Sequence, residues 1–297
     1  MPTDSYDLVI IGGGIHGAGV AQAAAAAGYS VCLLEQSFLA AGTSSRSSKL
    51  IHGGLRYLES AQFNLVRECL HERALLLKLA PELVKLQPFY IPIFKQTRRR
   101  PWQVRAGLSL YAALGGFDKS ALFKQVPRRQ WTTLDGLSQE GLQKVYRYMD
   151  GQTDDAALTR AVMASARSLG AELVMPAQFL QAEITPDGCE ISYETEQGER
   201  GCRARLLVNA AGPWANRVLA KIRPEPQRLE MDLVQGTHIV IDAPLERGIY
   251  YVEAPQDQRA VFVIPWQGKT LVGTTETIYR GDPAEVAPLA EEEAYLL

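Results

Sequence analysis

Six residues near the start of the chain, Gly12-Gly13-Gly14-Ile15-His16-Gly17, carry the G-x-G-x-x-G spacing that lets a backbone approach a pyrophosphate. Their setting gives that spacing its meaning. The run Asp7-Leu8-Val9-Ile10-Ile11 reads as a strand before them and the Ala-rich stretch 18–27 as a helix after them. An acid, Glu35, closes a second apolar run eighteen residues past Gly17. In such a unit Gly12 permits the tight turn, Gly14 the close approach and Gly17 the packing of helix on strand. The helix start offers N–H groups to an anion. A Glu35 carboxylate would accept from ribose hydroxyls and repel a 2′-phosphate, which disfavours NADP against FAD or NAD. The next residues, Gly42-Thr43-Ser44-Ser45-Arg46-Ser47-Ser48-Lys49, gather hydroxyls, turn amides and two cations, a set able to cradle a phosphate or hydrogen-bond a ribityl chain.

The elements that must hold these groups follow from apolar spacing. Residues 63–84 repeat near a helical period, with Arg67, Glu68, Glu72 and Arg73 between the apolar positions. Residues 88–94 read as a short strand whose two prolines place it at a sheet edge or boundary. Thr153-Asp154-Asp155 starts a helix that Gly170 ends, residues 172–175 form a strand, and 205–214 form a buried strand breaking into a turn. From Met231 onward, short β-rich runs at 237–242, 248–253, 260–266 and 270–275 predict an antiparallel sheet. The expected architecture is α/β: a doubly wound, Rossmann-like nucleotide domain from residues 1–60 and 151–222. It is interleaved with an α+β substrate domain carrying the antiparallel sheet, from 61–150 and 223–297.

The bulk properties narrow the classes further. A chain of 297 residues suits about two domains, and 31 basic against 33 acidic side chains leave a net charge of −2, so no global field points to nucleic acid. The four cysteines, Cys32, Cys69, Cys189 and Cys202, lack metal or redox spacing and are expected to be reduced. The histidines are too scattered for a metal site, so no metal is expected. No apolar run reaches the roughly 18 residues of a spanning helix, and no leader precedes the first strand, so the reading is cytoplasmic.

The thirteen residues Ser47-Ser48-Lys49-Leu50-Ile51-His52-Gly53-Gly54-Leu55-Arg56-Tyr57-Leu58-Glu59 closely resemble the signature of FAD-dependent, quinone-linked glycerol-3-phosphate dehydrogenases, of the D-amino-acid-oxidase-like flavoproteins. Further ordered blocks agree: Asp154-Asp155-Ala156, 207–214, 236–240, 262–266 and Gly273-Thr274-Thr275-Glu276. The resemblance spans nearly the whole chain. It implies that FAD accepts a hydride from C2 of sn-glycerol 3-phosphate, giving dihydroxyacetone phosphate, with the electrons passing to a membrane quinone. It also implies that Ala211 and Gly212 contact the adenosine half of FAD.

Chemistry assigns roles beside that resemblance. Arg56 offers a fork of donors that fits a phosphate dianion, with the Tyr57 hydroxyl next to it, although Arg56 could instead pair with Glu59 at i+3. His52 offers an imidazole able to move the C2 hydroxyl proton or to orient the flavin ring. Gly53 and Gly54 leave backbone open to approach, and with Ser48 and Lys49 they join the expected cofactor contacts. His16 should line the cofactor and His71 should be solvated. Thr274 and Thr275 end a strand from which hydroxyls can face a ligand, and Thr275 is assigned to substrate, although both also suit plain strand packing.

The segment Lys95-Gln96-Thr97-Arg98-Arg99-Arg100-Pro101-Trp102 leads into a short apolar helix, a combination suited to the headgroups of an anionic bilayer, so peripheral attachment to the inner face of the cell membrane is expected. Members of the resembled family continue past the position of Leu297. The chain is therefore expected to hold one end of FAD and to bind it weakly or not at all unless the later portion is supplied. An oxidase of the same substrate using oxygen, a non-catalytic FAD-binding relative and an NAD-dependent dehydrogenase are the alternatives, the last weakened by the 43–54 segment. An oligomer is compatible with all of them.

Overall fold

Side chains alternate between two cores along the first strand, Asp4–Ile11: Val9 and Ile11 enter one apolar cluster and Ile10 another, all nearly solvent-free. A strand apolar on both faces belongs inside a sheet. In the computed structural model, which describes residues 4–118 and 120–297, it lies between parallel neighbours Val31–Leu34 and Gly198–Asn209. The seven-stranded order is Ile222–Arg223, Gln178–Thr185, Gly188–Thr195, Gly198–Asn209, Asp4–Ile11, Val31–Leu34, Glu172–Val174. Helices Ile15–Ala26 and Asp155–Ser168 cover one face through Ala18, Ala21, Ala25, Met163 and Ala166, small residues that let helix and sheet approach closely. The other face is packed by Phe179, Ala182, Ile191, Tyr193 and Val218. Asp154 caps the second helix by accepting from the Ala157 N–H at 2.8 Å. These elements form one compact unit, running to Ser47 and then over 154–233 and 281–284.

The second unit takes 48–153, 234–280 and 285–297. Its main sheet runs His238–Ile241, Lys269–Gly273, Ala260–Trp266, Ile249–Glu253, Val84–Phe94, Leu142–Thr153, Leu50–Ile51, with Lys124–Gln125 beside Leu142–Thr153. All neighbours are antiparallel except Ile249–Glu253 against Val84–Phe94. Helices Phe63–Leu79 and Pro101–Leu114 bury Val66, Leu70, Val104, Leu108 and Tyr111 against Phe89, Ile91, Ile93, Tyr146 and Tyr148. The intervening Tyr90 and Val145 turn to the opposite cluster around Trp131.

Three expectations need correction. The helix expected over 63–84 ends at Leu79, because Pro81 excludes helical backbone at Ala80, and Val84 already begins a strand. That strand is interior rather than an edge. It pairs with Leu142–Thr153 along its length but with Ile249–Glu253 only at Phe89 and Tyr90, between Pro88 and Pro92, so the prolines flank the short ladder. The stretch 205–214 is not uniformly buried: Leu207 and Val208 pack against the two clusters, whereas Leu206 is 61% exposed.

Candidate functional site

In the first unit, the end of the first strand and the start of its helix touch so closely that glycine is required at both contact points. A Cβ at Gly17 would overlap the Gly12 carbonyl oxygen, and Gly12 has φ +110° with its own Cβ direction blocked by the Ala210 carbonyl. Glu35, 7% exposed, is held by the Gly13 N–H on Oε2 (2.7 Å) and by the Ser37 N–H (2.9 Å) and hydroxyl (3.2 Å) on Oε1. A carboxylate has about four acceptor positions, so Oε2 keeps capacity for a further donor. The Ile15 N–H donates to Ser44 Oγ at 2.9 Å, so a hydroxyl distant in sequence caps the helix whose own N-cap is Gly14.

These groups surround a cavity of about 800 Å³ lined by Gly12, Gly14, His16, Glu35, Thr43, Ser44, Ala211 and Gly212, and also by Phe179, Trp214 and Lys221. Helix N–H groups, a held carboxylate and apolar walls in one cleft match the pyrophosphate, ribose and ring of a dinucleotide. Phe179, Trp214 and Lys221 have no role in the sequence reading. The alternation around Phe179 marks a strand but not its orientation.

The remaining expected residues belong to the second unit. Ser48 Oγ lies 3.0 Å from His238 Nε2, and the buried Lys49 places its ammonium 5.4 Å from the Trp266 ring centre. Gly54 N–H donates to His52 Nδ1 at 3.0 Å, while the exposed His52 ring stacks near Phe262 with centroids 6.1 Å apart. Because Nδ1 accepts, the neutral ring carries its proton on Nε2, which is then a donor rather than a base.

Arg56 and Tyr57 are exposed on the turn Leu55–Ser60. The Arg56–Glu59 pairing does not form: Glu59 pairs with Arg99, whose Nη1 also meets Glu253 at 2.6 Å. Arg56 makes no hydrogen bond or ion pair among the described residues, and it lines a second cavity, of about 510 Å³, with Leu58, Ile91 and Ile93. Thr275 is not presented to a ligand. Buried at 5% exposure, its hydroxyl donates to Glu292 Oε1 (2.9 Å) and accepts from the Thr237 N–H (2.8 Å).

Glu292, which sequence reasoning missed, also accepts from Thr237, Thr277, Gln235 and the Leu289 N–H. Burial pushes its carboxyl up, but the donors outweigh burial and hold it at about 2. In the basic segment, Arg99 is engaged by two acids and Arg100 Nη1 donates to the Lys95 carbonyl (2.9 Å), while Trp102 is 70% exposed. Among the described residues, no helix is long and apolar enough to cross a membrane and no cluster of three His, Cys, Asp or Glu is placed to hold a metal.

Comparison with known proteins adds independent findings. A family model described as FAD dependent oxidoreductase matches residues 7–297. A glycerol-3-phosphate dehydrogenase of Pseudomonas aeruginosa is 41% identical over 294 residues, covering 98% of this chain and 56% of that protein. A D-erythritol 1-phosphate dehydrogenase of Brucella abortus is 38% identical over 301 residues, covering 99% and 59%. The chain thus spans little more than half the length of these relatives. The FAD-complexed glycerol-3-phosphate dehydrogenase of Bacillus halodurans superimposes with a TM-score of 0.78 at 28% identity, covering 99% of this chain and 52% of that one.

Proposed function

We propose, because the chain belongs to the FAD dependent oxidoreductase family, that its first-unit cavity holds FAD and that the protein oxidises sn-glycerol 3-phosphate to dihydroxyacetone phosphate. The helix start at Gly14–His16 takes the pyrophosphate, Glu35 Oε2 accepts from the ribose, and Thr43, Ser44, Ala211 and Gly212 complete the wall. FAD, when bound, would supply the two-electron acceptor for the hydride leaving C2 while the C2 hydroxyl proton leaves to solvent, and a membrane quinone would receive the electrons thereafter.

The observation that carries the substrate reading is Arg56. An exposed guanidinium whose nearest sequence partner is claimed by Arg99 stands ready for a phosphate dianion, with Tyr57 beside it. His52 serves by donating from Nε2 to an oxygen of the substrate, since its Nδ1 is already accepting. The similarity to a D-erythritol 1-phosphate dehydrogenase supports a second reading, oxidation of a longer polyol phosphate by the same groups.

The test is the absorption spectrum of the purified protein together with dye-linked oxidation of the two substrates. Weak flavin retention by residues 1–297 is expected, with a full flavin spectrum and turnover of sn-glycerol 3-phosphate when the later portion of the relatives is supplied. A larger kcat/KM for D-erythritol 1-phosphate would transfer the assignment to the second reading. Hydrogen peroxide in stoichiometric yield under air would replace the quinone by oxygen, and a flavin-free protein dependent on NAD would reject both.

A further inference from the structure

The signature turn rests on a buried ionic cluster that neither the cofactor nor the substrate reading uses. Arg73, Tyr111 and Asp150 come from two helices and a strand and are 2%, 0% and 0% exposed. Tyr111 Oη donates to Asp150 Oδ2 at 2.7 Å, and Arg73 Nη1 donates to Asp150 Oδ1 at 2.6 Å. With its proton committed to Asp150, the Tyr111 oxygen accepts the Gly53 N–H at 2.9 Å. A chain of donors therefore runs from the backbone of the signature turn to a buried carboxylate.

Two glycines clear the space for it. A Cβ at Gly53 would overlap Tyr111 Oη and the Leu70 side chain, and one at Gly151 would crowd the Ile51 carbonyl. The cluster is also a poor way to gain stability. Burying an ion pair costs desolvation that well-packed apolar side chains avoid, and Arg73 Nε has no hydrogen-bond partner among the described residues. What such a cluster does supply is a single arrangement of the groups bonded to it.

We propose that Tyr111, backed by Asp150 and Arg73, is a positioning relay that fixes the backbone at Gly53 and so aims His52 on one side and Arg56 on the other. Gly53 N–H is tied to Tyr111 Oη at 2.9 Å, with Asp150 Oδ2 a longer second acceptor at 3.4 Å, and Gly54 N–H to the His52 ring, so two successive amides set both the turn and the orientation of that ring. The inference rests on the reading that His52 and Arg56 meet substrate. None of the three relay residues touches the reacting atoms in it.

Tyr111→Phe removes only the hydroxyl, and amide hydrogen exchange reads its effect without reference to activity. Exchange at Gly53 and Gly54 should quicken about ten-fold more than exchange in the strands Val84–Phe94 and Leu142–Thr153. In the FAD-loaded protein kcat for the phosphorylated substrate should fall about ten-fold with little change in KM, a split that general loosening would not give. Exchange at Gly53 and Gly54 that quickens no more than in those strands overturns the relay whatever the activity. Faster local exchange with unchanged kcat and KM overturns its link to the reaction.

If the variant does not fold, the parent protein still decides. The Gly53 amide should exchange as slowly as the central strands while that of Arg56, which has no acceptor among the described residues, exchanges fast, and equal rates at 53 and 56 would contradict the proposal.

Discussion

Two nearly buried glutamates show how neighbours, rather than burial, assign a carboxylate its task. Glu35 keeps acceptor capacity facing a cavity, whereas Glu292 has its oxygens engaged by Thr237, Thr275, Thr277, Gln235 and the Leu289 N–H. The folded-state carboxyl of Glu292 lies below its unfolded value, so its stabilisation is fully present above about pH 4.5 and is lost as pH falls toward 2. A drop from 4.5 to about 2 corresponds to about 3 kcal/mol. Glu292→Gln should therefore lower stability at pH 7 by about 2 kcal/mol and flatten the acid limb in denaturant titrations from pH 6 to 2. An acid limb as steep as the parent's would contradict this assignment. Glu35 was legible because its distance from the glycine motif is fixed by one strand–helix–strand unit. Glu292 was not, because its side-chain partners lie 15 to 57 residues away and only the tertiary fold joins them. At Arg56, replacement by Ala should cost about 2 to 4 kcal/mol in kcat/KM for the phosphorylated substrate, with Lys recovering part, as steady-state kinetics will show.

Elements were legible wherever the local pattern and the tertiary demand agreed. The first strand, its helix and the Asp154-capped helix stand where apolar period and caps put them. The hairpin Gln178–Thr185 with Gly188–Thr195 escaped notice, although Asp187-Gly188 and the flanking alternation Cys189, Ile191, Tyr193 are its signals. Proline misled in 88–94, because a missing donor matters only on the side where a long ladder must form. Gly17→Ala forces a Cβ into the Gly12 carbonyl, so it should cost about 1 to 3 kcal/mol of stability and weaken FAD binding in fluorescence titration. Leu108, fully buried on the Pro101–Leu114 helix, should cost about 2 to 5 kcal/mol as Ala, measured by urea unfolding, whereas Trp102→Ala should be nearly neutral.

At the scale of the whole molecule, the α/β architecture and the FAD dependent oxidoreductase family were legible, because the glycine motif, Glu35 and the 47–59 signature are contiguous in sequence. The basic segment reads differently once folded. Arg99 is spoken for by Glu59 and Glu253, which leaves Arg98, Arg100 and the exposed Trp102 as the groups a membrane surface would meet. Anionic liposomes should retain the protein at low salt, and Arg98→Gln with Arg100→Gln should weaken retention by roughly 1 kcal/mol for each charge that reaches the surface. Equal sedimentation of mutant and parent would remove the membrane from the account. The most direct measurement of the central proposal is anaerobic mixing of the FAD-loaded protein with sn-glycerol 3-phosphate while the flavin absorption is followed. The account predicts rapid loss of the oxidised flavin band with one dihydroxyacetone phosphate formed per flavin, and much slower loss in Arg56→Ala. A flavin band that persists in the presence of saturating substrate would contradict it.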